Sequence, residues 1–446
     1  MRLLHTSDWH VGKRIRGHSR ADEHRAVLAE IAEVADREAV DLILVAGDLY
    51  ETAAPTPESE RIVNQALLRL AEVAPVLAVA GNHDNPRRLA AVEPLLRLGR
   101  ITMVAEPLAP DQGGCVELVA GDTPVRAAML PFVSQRAIVR AEQLMANAAY
   151  ENAQAYAERL RWVIEALCQP FDADHVNLVV AHAFVTGGMT GGGERAAHLV
   201  DEYGLSAVDF PPSASYVALG HLHRPQQMLG ATAIHYCGSP LQLDFGEQDQ
   251  AKQVNIVDAE PGIPAKVTSV PLTSGRRLRT LTGTVAQLQA MADRAASAGD
   301  GEEPNEDADR LDAWLRVRIT EPGRAGLAEE VRAALGERVV DVRVEAMETP
   351  RPVRHRDGRD PRELFAAYLA EAGLEDPAVV SRFVQLLDEA GTPADGDETA
   401  GPADRVEAAG PADQVEAGTS ADRDQVEVDE EAPGGQVIEL DRAETE

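Results

Sequence analysis

The residues best suited to chemistry come in five short clusters, far apart in the chain: Asp8-Trp9-His10, Gly47-Asp48, Gly81-Asn82-His83-Asp84, His182, and Gly220-His221-Leu222-His223. Each directly follows an apolar run. Imidazole mixed with carboxylate suits Mn2+, Fe or Zn2+, whereas magnesium sites are nearly all oxygen. Two ions about 3.5–4 Å apart need a bridging carboxylate, and Asp48, alone at the end of its run, is the natural bridge. Residues i and i+2 of an extended chain point the same way, so Asp8 and His10 can share an ion. His221 and His223 have the same spacing, but at a strand-to-loop transition they can equally face different ions. Asn82 adds a neutral oxygen. A lone histidine near a strand end is commonly structural, and His5, His175 and His235 are placed in that class. Five ligand-bearing ends without the paired cysteines of structural zinc make a metal site the better reading.

The elements that carry these clusters are short. Runs 2–7, 42–46, 76–80, 177–181 and 216–219 are too brief for stable helices and read as buried strands. Apolar residues recur at helical spacing over 22–37 and again from Ile62 to Leu70, so the first 85 residues read β-α-β-α-β. That pattern predicts a layered α/β fold, with ligands at the carboxyl ends of the strands. Shorter strands are predicted at 101–104, 116–118, 126–130, 233–236 and 253–257, and a long helical region at 134–167. The Gly-rich stretch 186–193 reads as a mobile loop. It lacks the Gly-Lys-Ser/Thr ending of a phosphate-binding loop.

The character of the chain changes near Gly275. Segments within 276–350 alternate strand and helix patterns with no His or Asp cluster at their ends, which predicts a second, smaller α/β domain. A basic linker, Pro350 to Arg356, leads to two short helices striped with Leu364, Phe365, Tyr368 and Leu369, then Val379, Val380, Phe383, Leu386 and Leu387. Two such helices have too little core to stand alone and must dock on something. From Gly391 the chain has no aromatics and repeats Gly-Pro-Ala-Asp-Arg/Gln-Val-Glu-Ala, a composition that predicts a disordered, solubilising tail.

At 446 residues the chain has room for two or three domains. Its net charge of −32 is unevenly placed: 17 acids against 3 arginines after residue 390 leave −14 there and −18 on residues 1–390. An acidic body argues against groove binding through a basic face, but not against a DNA enzyme with bound metal ions and local Arg clusters. Lys13, Arg14, Arg16 and Arg20 form such a cluster and are candidate phosphate contacts. Three scattered cysteines, no signal-like start and no apolar run near the roughly 18 residues of a membrane span predict a cytoplasmic protein with no membrane association.

Taken together, the clusters resemble the signature of the calcineurin-like metallophosphoesterases. More narrowly, the segments Leu4 to Gly12, Ala218 to Pro225 and Tyr236-Cys237-Gly238-Ser239-Pro240 resemble the SbcD nuclease-subunit family, over about residues 1–390. The resemblance implies a four-layer α/β/β/α sandwich at 1–275, a DNA-capping domain at 276–350, and a linker and helix pair at 351–390 that binds the SbcC ATPase. The tail, 391–446, lies outside it. It also implies two divalent ions, Mn2+ by preference. Asp8, His10, Asp48 and His223 would hold one, and Asp48, Asn82, His182 and His221 the other. His83 corresponds to the catalytic histidine and Asp84 to its orienting partner. Glu51 stands where other branches of the family carry an assisting histidine, which leaves the auxiliary acid in question.

The implied activity is manganese-dependent exonuclease (3'-5') and endonuclease cleavage of DNA ends and hairpins in repair, recombination and replication. The implied assembly is a homodimer of this chain within a heterotetramer with SbcC. A small-molecule phosphodiesterase or phosphatase could use the same ligands, but would not require the segments after Gly275. A non-catalytic DNA-end-binding scaffold would have no use for the intact ligand set.

Overall fold

Apolar side chains alternate between two cores along each strand that leads to a polar cluster, which is why those runs read as uninterrupted apolar sequence. A computed structural model describes residues 1–134, 149–192, 194, 204–297, 306–344, 362, 365, 366, 369 and 377–390. In chain order the elements are β1 (Arg2–Thr6), β2 (Arg14–Ile15), β3 (His18–Ser19), α1 (Ala21–Arg37), β4 (Leu42–Val45), α2 (Pro57–Val73), β5 (Val76–Val79), α3 (Pro86–Leu98) and β6 (Ile101–Val104). Next come β7 (Cys115–Ala120), β8 (Thr123–Leu130), α4 (Ala149–Cys168), β9 (Val176–His182), β10 (Tyr216–Gly220), β11 (Gln226–Met228), β12 (Ala233–Tyr236), β13 (Gln253–Asp258) and β14 (Lys266–Pro271).

Two six-stranded sheets result, ordered β14-β13-β1-β4-β5-β6 and β11-β12-β10-β9-β8-β7. Strands β1, β4, β5 and β6 are parallel, as are β8, β9, β10 and β12. Leu3, Leu42, Leu44, Leu77 and Val79 of one sheet meet Val125, Ala127, Met129, Leu178, Val180 and Ala218 of the other in a shared core. The alternate residues Leu4, Ile43, Val45 and Val76 pack outward on α1 and α2, through Val27, Ile31, Val63 and Leu67. Val179, Val217 and Leu219 pack outward on α4, through Leu160, Ile164 and Leu167. The chain therefore forms a four-layer α/β/β/α sandwich.

Helix α3, the β2–β3 hairpin and the strands β11 and β14 add to the elements the sequence predicts. Strand β14 is an edge, mostly exposed and bearing Lys266 and Pro271 at its ends, so no apolar run marks it. Helix α3 carries Pro94 and buries only Leu89 and Leu96, which leaves a weak periodic signal. Of the helical region predicted at 134–167, residues 135–148 lie outside the described residues.

A parallel three-stranded sheet follows, built from β15 (Arg277–Gly283), α5 (Val285–Ser297), α6 (Glu306–Leu311), β16 (Ala313–Ile319), α7 (Leu327–Leu335) and β17 (Val339–Val344). Leu281, Leu288, Leu315, Val317, Ile319, Leu327 and Val331 form its own core. It belongs to the same compact unit as the sandwich, Met1–Arg351. The two meet through a small apolar cluster of Ile15, Phe245, Leu278 and Val340, with Trp314 against it.

In the second unit, Pro352–Glu446, helix α8 (Pro377–Ala390) is described along with helical residues at 362, 365, 366 and 369. Phe365 stacks on Phe383 with ring centroids 3.9 Å apart, so the two stripes face each other in part. Val379 and Leu386 remain 43% and 48% exposed. The linker at 351–361 and the tail at 391–446 lie outside the described residues. No described helix is long and apolar enough to cross a membrane.

At one end of the sandwich the sheets come so close that a side chain at Gly220 would strike the carbonyl oxygen of Ala46 and the ring of His182. Both struck groups are fixed, one in main chain and one in a buried ring. Gly220→Ala should therefore cost about 2–3 kcal/mol. Thermal unfolding checks this, and an unchanged midpoint would contradict the close approach.

Candidate metal centre

All five polar clusters meet at that narrow end. β1, β4 and β5 lie side by side in one sheet and deliver Asp8 and His10, Asp48, and Asn82 to Asp84. β9 and β10 lie side by side in the other and deliver His182, His221 and His223. His182 has the strand parity of Leu178 and Val180 and so faces the opposite sheet. The others lie past their strand ends, and here the backbone is forced. Asp8 (φ 53°), His10 (φ 48°), Asp48 (φ 52°) and His221 (φ 106°) occupy positive φ, a conformation that costs a non-glycine residue about 1–3 kcal/mol. Main-chain bonds hold them there: the Asp8 amide donates to the Gly47 carbonyl (2.9 Å) and that of His10 to the Asp48 carbonyl (3.0 Å).

The ring nitrogens are oriented by their outward partners. His10 Nδ1 donates to Glu51 Oε2 (3.0 Å), His182 Nδ1 to the Ala46 carbonyl (2.8 Å), and His223 Nδ1 to Glu247 Oε1 (3.1 Å). These partners only accept, so each ring turns an Nε2 lone pair inward. His10 Nε2 and His223 Nε2 then face each other at 3.1 Å, and His182 Nε2 stands 2.9 Å from Asn82 Oδ1. His221 Nδ1 lies 2.8 Å from the same oxygen. Asp48 Oδ2 sits between the groups, 3.4 Å from His10 Nε2 and 3.5 Å from His182 Nε2. Donor atoms of Asp8, His10 and His223 lie within 4.8 Å of one another, as do those of Asp8, Asp48 and His182.

Facing lone pairs repel unless a cation, a proton on His223 or a metal ion, lies between them. Donors at right angles on one ion, with bonds of about 2.1 Å, stand about 3 Å apart, which matches the separations of 2.8, 2.9 and 3.1 Å. The electrostatics agree. Burial, eased by His223 and Ser7, lifts Asp8 to about 6. Burial and the charges of Asp84 and Asp8 lift Asp48 well above the carboxylate range. Burial depresses His10 and His182 to about 3, keeping them neutral. Burial also opposes the His223 imidazolium, but Glu247 and Asp8 outweigh it and raise that group. Buried carboxylates resisting ionisation beside neutral imidazoles are relieved by a divalent ion. The residues fit a binuclear metal site.

His83 stands at the rim. Its Nδ1 donates to the Glu51 carbonyl (2.6 Å), its amide donates to Asp48 Oδ1 (2.8 Å), and its ring lies 4.6 Å from that of His10. Asp84, expected to orient His83, accepts from the amides of Gly81 (2.9 Å), Tyr50 (3.0 Å) and Leu49 (3.2 Å) and so ties together the two loops that carry Asp48 and Asn82, while the His83 ring is held by its bond to the Glu51 carbonyl.

One sequence reading changes. Arg20 is not a phosphate contact: it is 1% exposed and bonds Glu23 and the carbonyls of Gln242 and Arg276. Glu51, whose role the sequence leaves open, lies 3.0 Å from His10 Nδ1 and 2.9 Å from Lys13 Nζ. Burial would raise its pKa, but the His10 bond and the Lys13 charge hold it at about 2, leaving an anion whose work is to orient His10. Sequence reasoning also passed over Glu247, Lys252 and Glu194, single residues with no motif spacing. Glu194 accepts from the amides of Gly191 (2.6 Å), Gly192 (2.8 Å) and His223 (3.0 Å), which gives the Gly-rich segment an anchor at the site.

A family model described as calcineurin-like phosphoesterase matches residues 1–225. The chain belongs to the calcineurin-like phosphoesterases. Within them it is similar to the proteins named as the D component of the nuclease SbcCD in three bacteria. It is 36% identical to that of Bacillus subtilis over 62% of this chain and 71% of the relative. It is 33% identical to that of Rhodobacter capsulatus over 61% and 69%, and 29% identical to that of Escherichia coli over 72% and 78%.

Because metal must displace protons from this site, the affinity for Mn2+ should fall by at least about tenfold for each pH unit below about 6, the value to which burial lifts Asp8. Protons should also be released on binding. Titration calorimetry in two buffers of different ionisation enthalpy measures both, and a constant affinity from pH 5 to 7 would contradict the assignment.

Proposed function

We propose that this chain is the metal-dependent nuclease component of an SbcC–SbcD-type complex, hydrolysing phosphodiester bonds at DNA ends and hairpins. The observation that carries this reading is the convergence of six donor residues from both sheets around Asp48, in a chain whose similarity to SbcCD nuclease components extends beyond the phosphoesterase segment. Asp8, His10, Asp48 and His223 would hold one ion, and Asp48, Asn82, His182 and His221 the other. Manganese suits this mixed nitrogen and oxygen set. When bound, such a pair supplies an activated water and neutralises charge on the phosphoryl oxygens.

The chain's own residues supply the rest. Glu51, Ala46 and Glu247 fix the ring faces, and Asp84 clamps the loops. His83, oriented through Nδ1, protonates the departing oxygen from Nε2 or stabilises the charge that builds there. Lys13, Arg14 and Arg16 lie on or beside the β2–β3 hairpin. Arg16 pairs with Asp341 (3.2 Å) and Lys13 with Glu51 (2.9 Å), which leaves the exposed Arg14 as the side chain that suits a phosphate backbone passing the rim.

The segment 276–350 acts in this reading as the DNA-capping domain, and the half-exposed Val379 and Leu386 of α8 dock on SbcC. A second copy of the chain would cover the outer faces of α2 and α3, where Leu68, Leu95 and Leu98 are 50%, 71% and 84% exposed. Together these contacts build a heterotetramer. The acidic body limits non-specific DNA binding and leaves recognition to the site and the partner.

His83→Ala should lower manganese-dependent cleavage of linear and hairpin DNA by about 10²–10⁴-fold, with metal content near that of the unaltered chain. Full activity would refute the role of His83. Hydrolysis of nucleotide esters but not DNA by the unaltered chain would favour a small-molecule phosphodiesterase instead.

A further inference from the structure

The turn Phe245–Glu247 faces two ways. On one side Glu247, 0% exposed, accepts from His223 Nδ1 (3.1 Å) through Oε1, and from Lys252 Nζ (2.7 Å) and the Leu243 amide (2.9 Å) through Oε2. On the other side Phe245 is buried with Leu278 and Val340, and the Arg316 guanidinium lies 4.1 Å over its ring. The flanking glutamines complete the attachment. Gln242 Oε1 accepts from the Leu278 amide (2.7 Å) and Gln248 Oε1 from the Thr280 amide (3.0 Å). Segment 242–248 is thus stitched to β15 by two glutamine side chains that accept from its main-chain amides and by one phenyl ring, with Glu247 set between them.

The other two ring partners are mounted differently. His182 leans on the Ala46 carbonyl at the end of β4, and His10 on Glu51 in the loop after that strand, both in the sandwich. We propose that Glu247 is a positioning residue for His223, and that segment 242–248 carries the seating of the three-stranded sheet to that histidine. The inference rests on His223 being a metal ligand. Lys252 and the Leu243 amide hold the other carboxylate oxygen, so the buried Glu247 moves with its turn as one piece, and a displaced turn shifts the Oε1 on which the His223 ring is seated. A ligand or partner that shifts the three-stranded sheet would therefore loosen or tighten the hold on one ion without touching any donor. Outer partners of this kind tune metal affinity by about 10–100-fold.

The test measures Mn2+ affinity and stoichiometry of the full chain by calorimetry. Glu247→Gln should weaken one of the two ions about tenfold or more and spare the other, with Glu247→Asp recovering part of the loss. Phe245→Ala should weaken the same ion, and should add little in the Glu247→Gln background because both act through one turn. Leu281→Ala, in the separate core of the small sheet, should lower the unfolding midpoint without changing metal affinity. Unchanged affinity in folded Phe245→Ala, additive losses, or an equal loss in Leu281→Ala would each overturn the proposal. If Phe245→Ala does not fold, Gln248→Ala, which removes only the Thr280 bond, decides by the same criterion. Failure of the metal reading itself would show separately, as an unaltered chain that binds no pair of ions.

Discussion

Two buried carboxylates and four imidazoles held within a few ångströms, with lone pairs turned inward, are the arrangement on which the rest of this structure depends. Left alone it is unfavourable. Burial pushes Asp8 and Asp48 toward protonation and strips His10 and His182 of charge, and four of the donor residues sit at strained positive φ. Such a cluster persists only because the surrounding sheets over-determine it. The parallel strands fix where each cluster begins, glycines at the seam let the sheets close up, and main-chain bonds between Asp8 and Gly47 and between His10 and Asp48 lock the loops together. Strain and charge confined at one spot are what a divalent pair relieves, so the fold's least comfortable region is also its functional one.

Much of this was legible in the sequence because parallel strands buried on both faces write themselves as unbroken apolar runs, and each run here ends at its ligand. The parity of His182 with Leu178 and Val180 is readable in the same way. What was not legible depends on contacts made across long stretches of chain. Arg20 sits in a basic run and looks solvated, yet its guanidinium is buried against Glu23 and two carbonyls. Glu51 looks like an acid beside a reaction site, and only the positions of His10 and Lys13 show it to be held as an anion. Glu247 follows His223 by 24 residues with no spacing to announce it. Edge strands and the proline-bearing α3 escaped because partial burial leaves too little periodicity.

The three-stranded sheet carries no ligand, and yet it is not remote from the chemistry. It meets the sandwich where the β2–β3 hairpin, which follows His10, and the 245–247 turn, which faces His223, both end in the same apolar cluster. Two of the clusters that make up the metal site thus continue directly into the seam between the sheets. A phosphoesterase that acts on a large substrate gains from that continuity, because contacts made far from the ions can be felt at them.

Asp48, whose Oδ2 lies between His10 and His182 where the sheets meet, is the residue that would bridge the two ions in the proposed site. The decisive measurement is the electron paramagnetic resonance spectrum of the manganese-loaded protein beside that of Asp48→Asn. The unaltered chain should bind two Mn2+ per chain and show a spin-coupled pair, and the variant should lose the coupling while remaining folded. A coupled pair that survives in Asp48→Asn, or a single uncoupled ion in the unaltered chain, would contradict it.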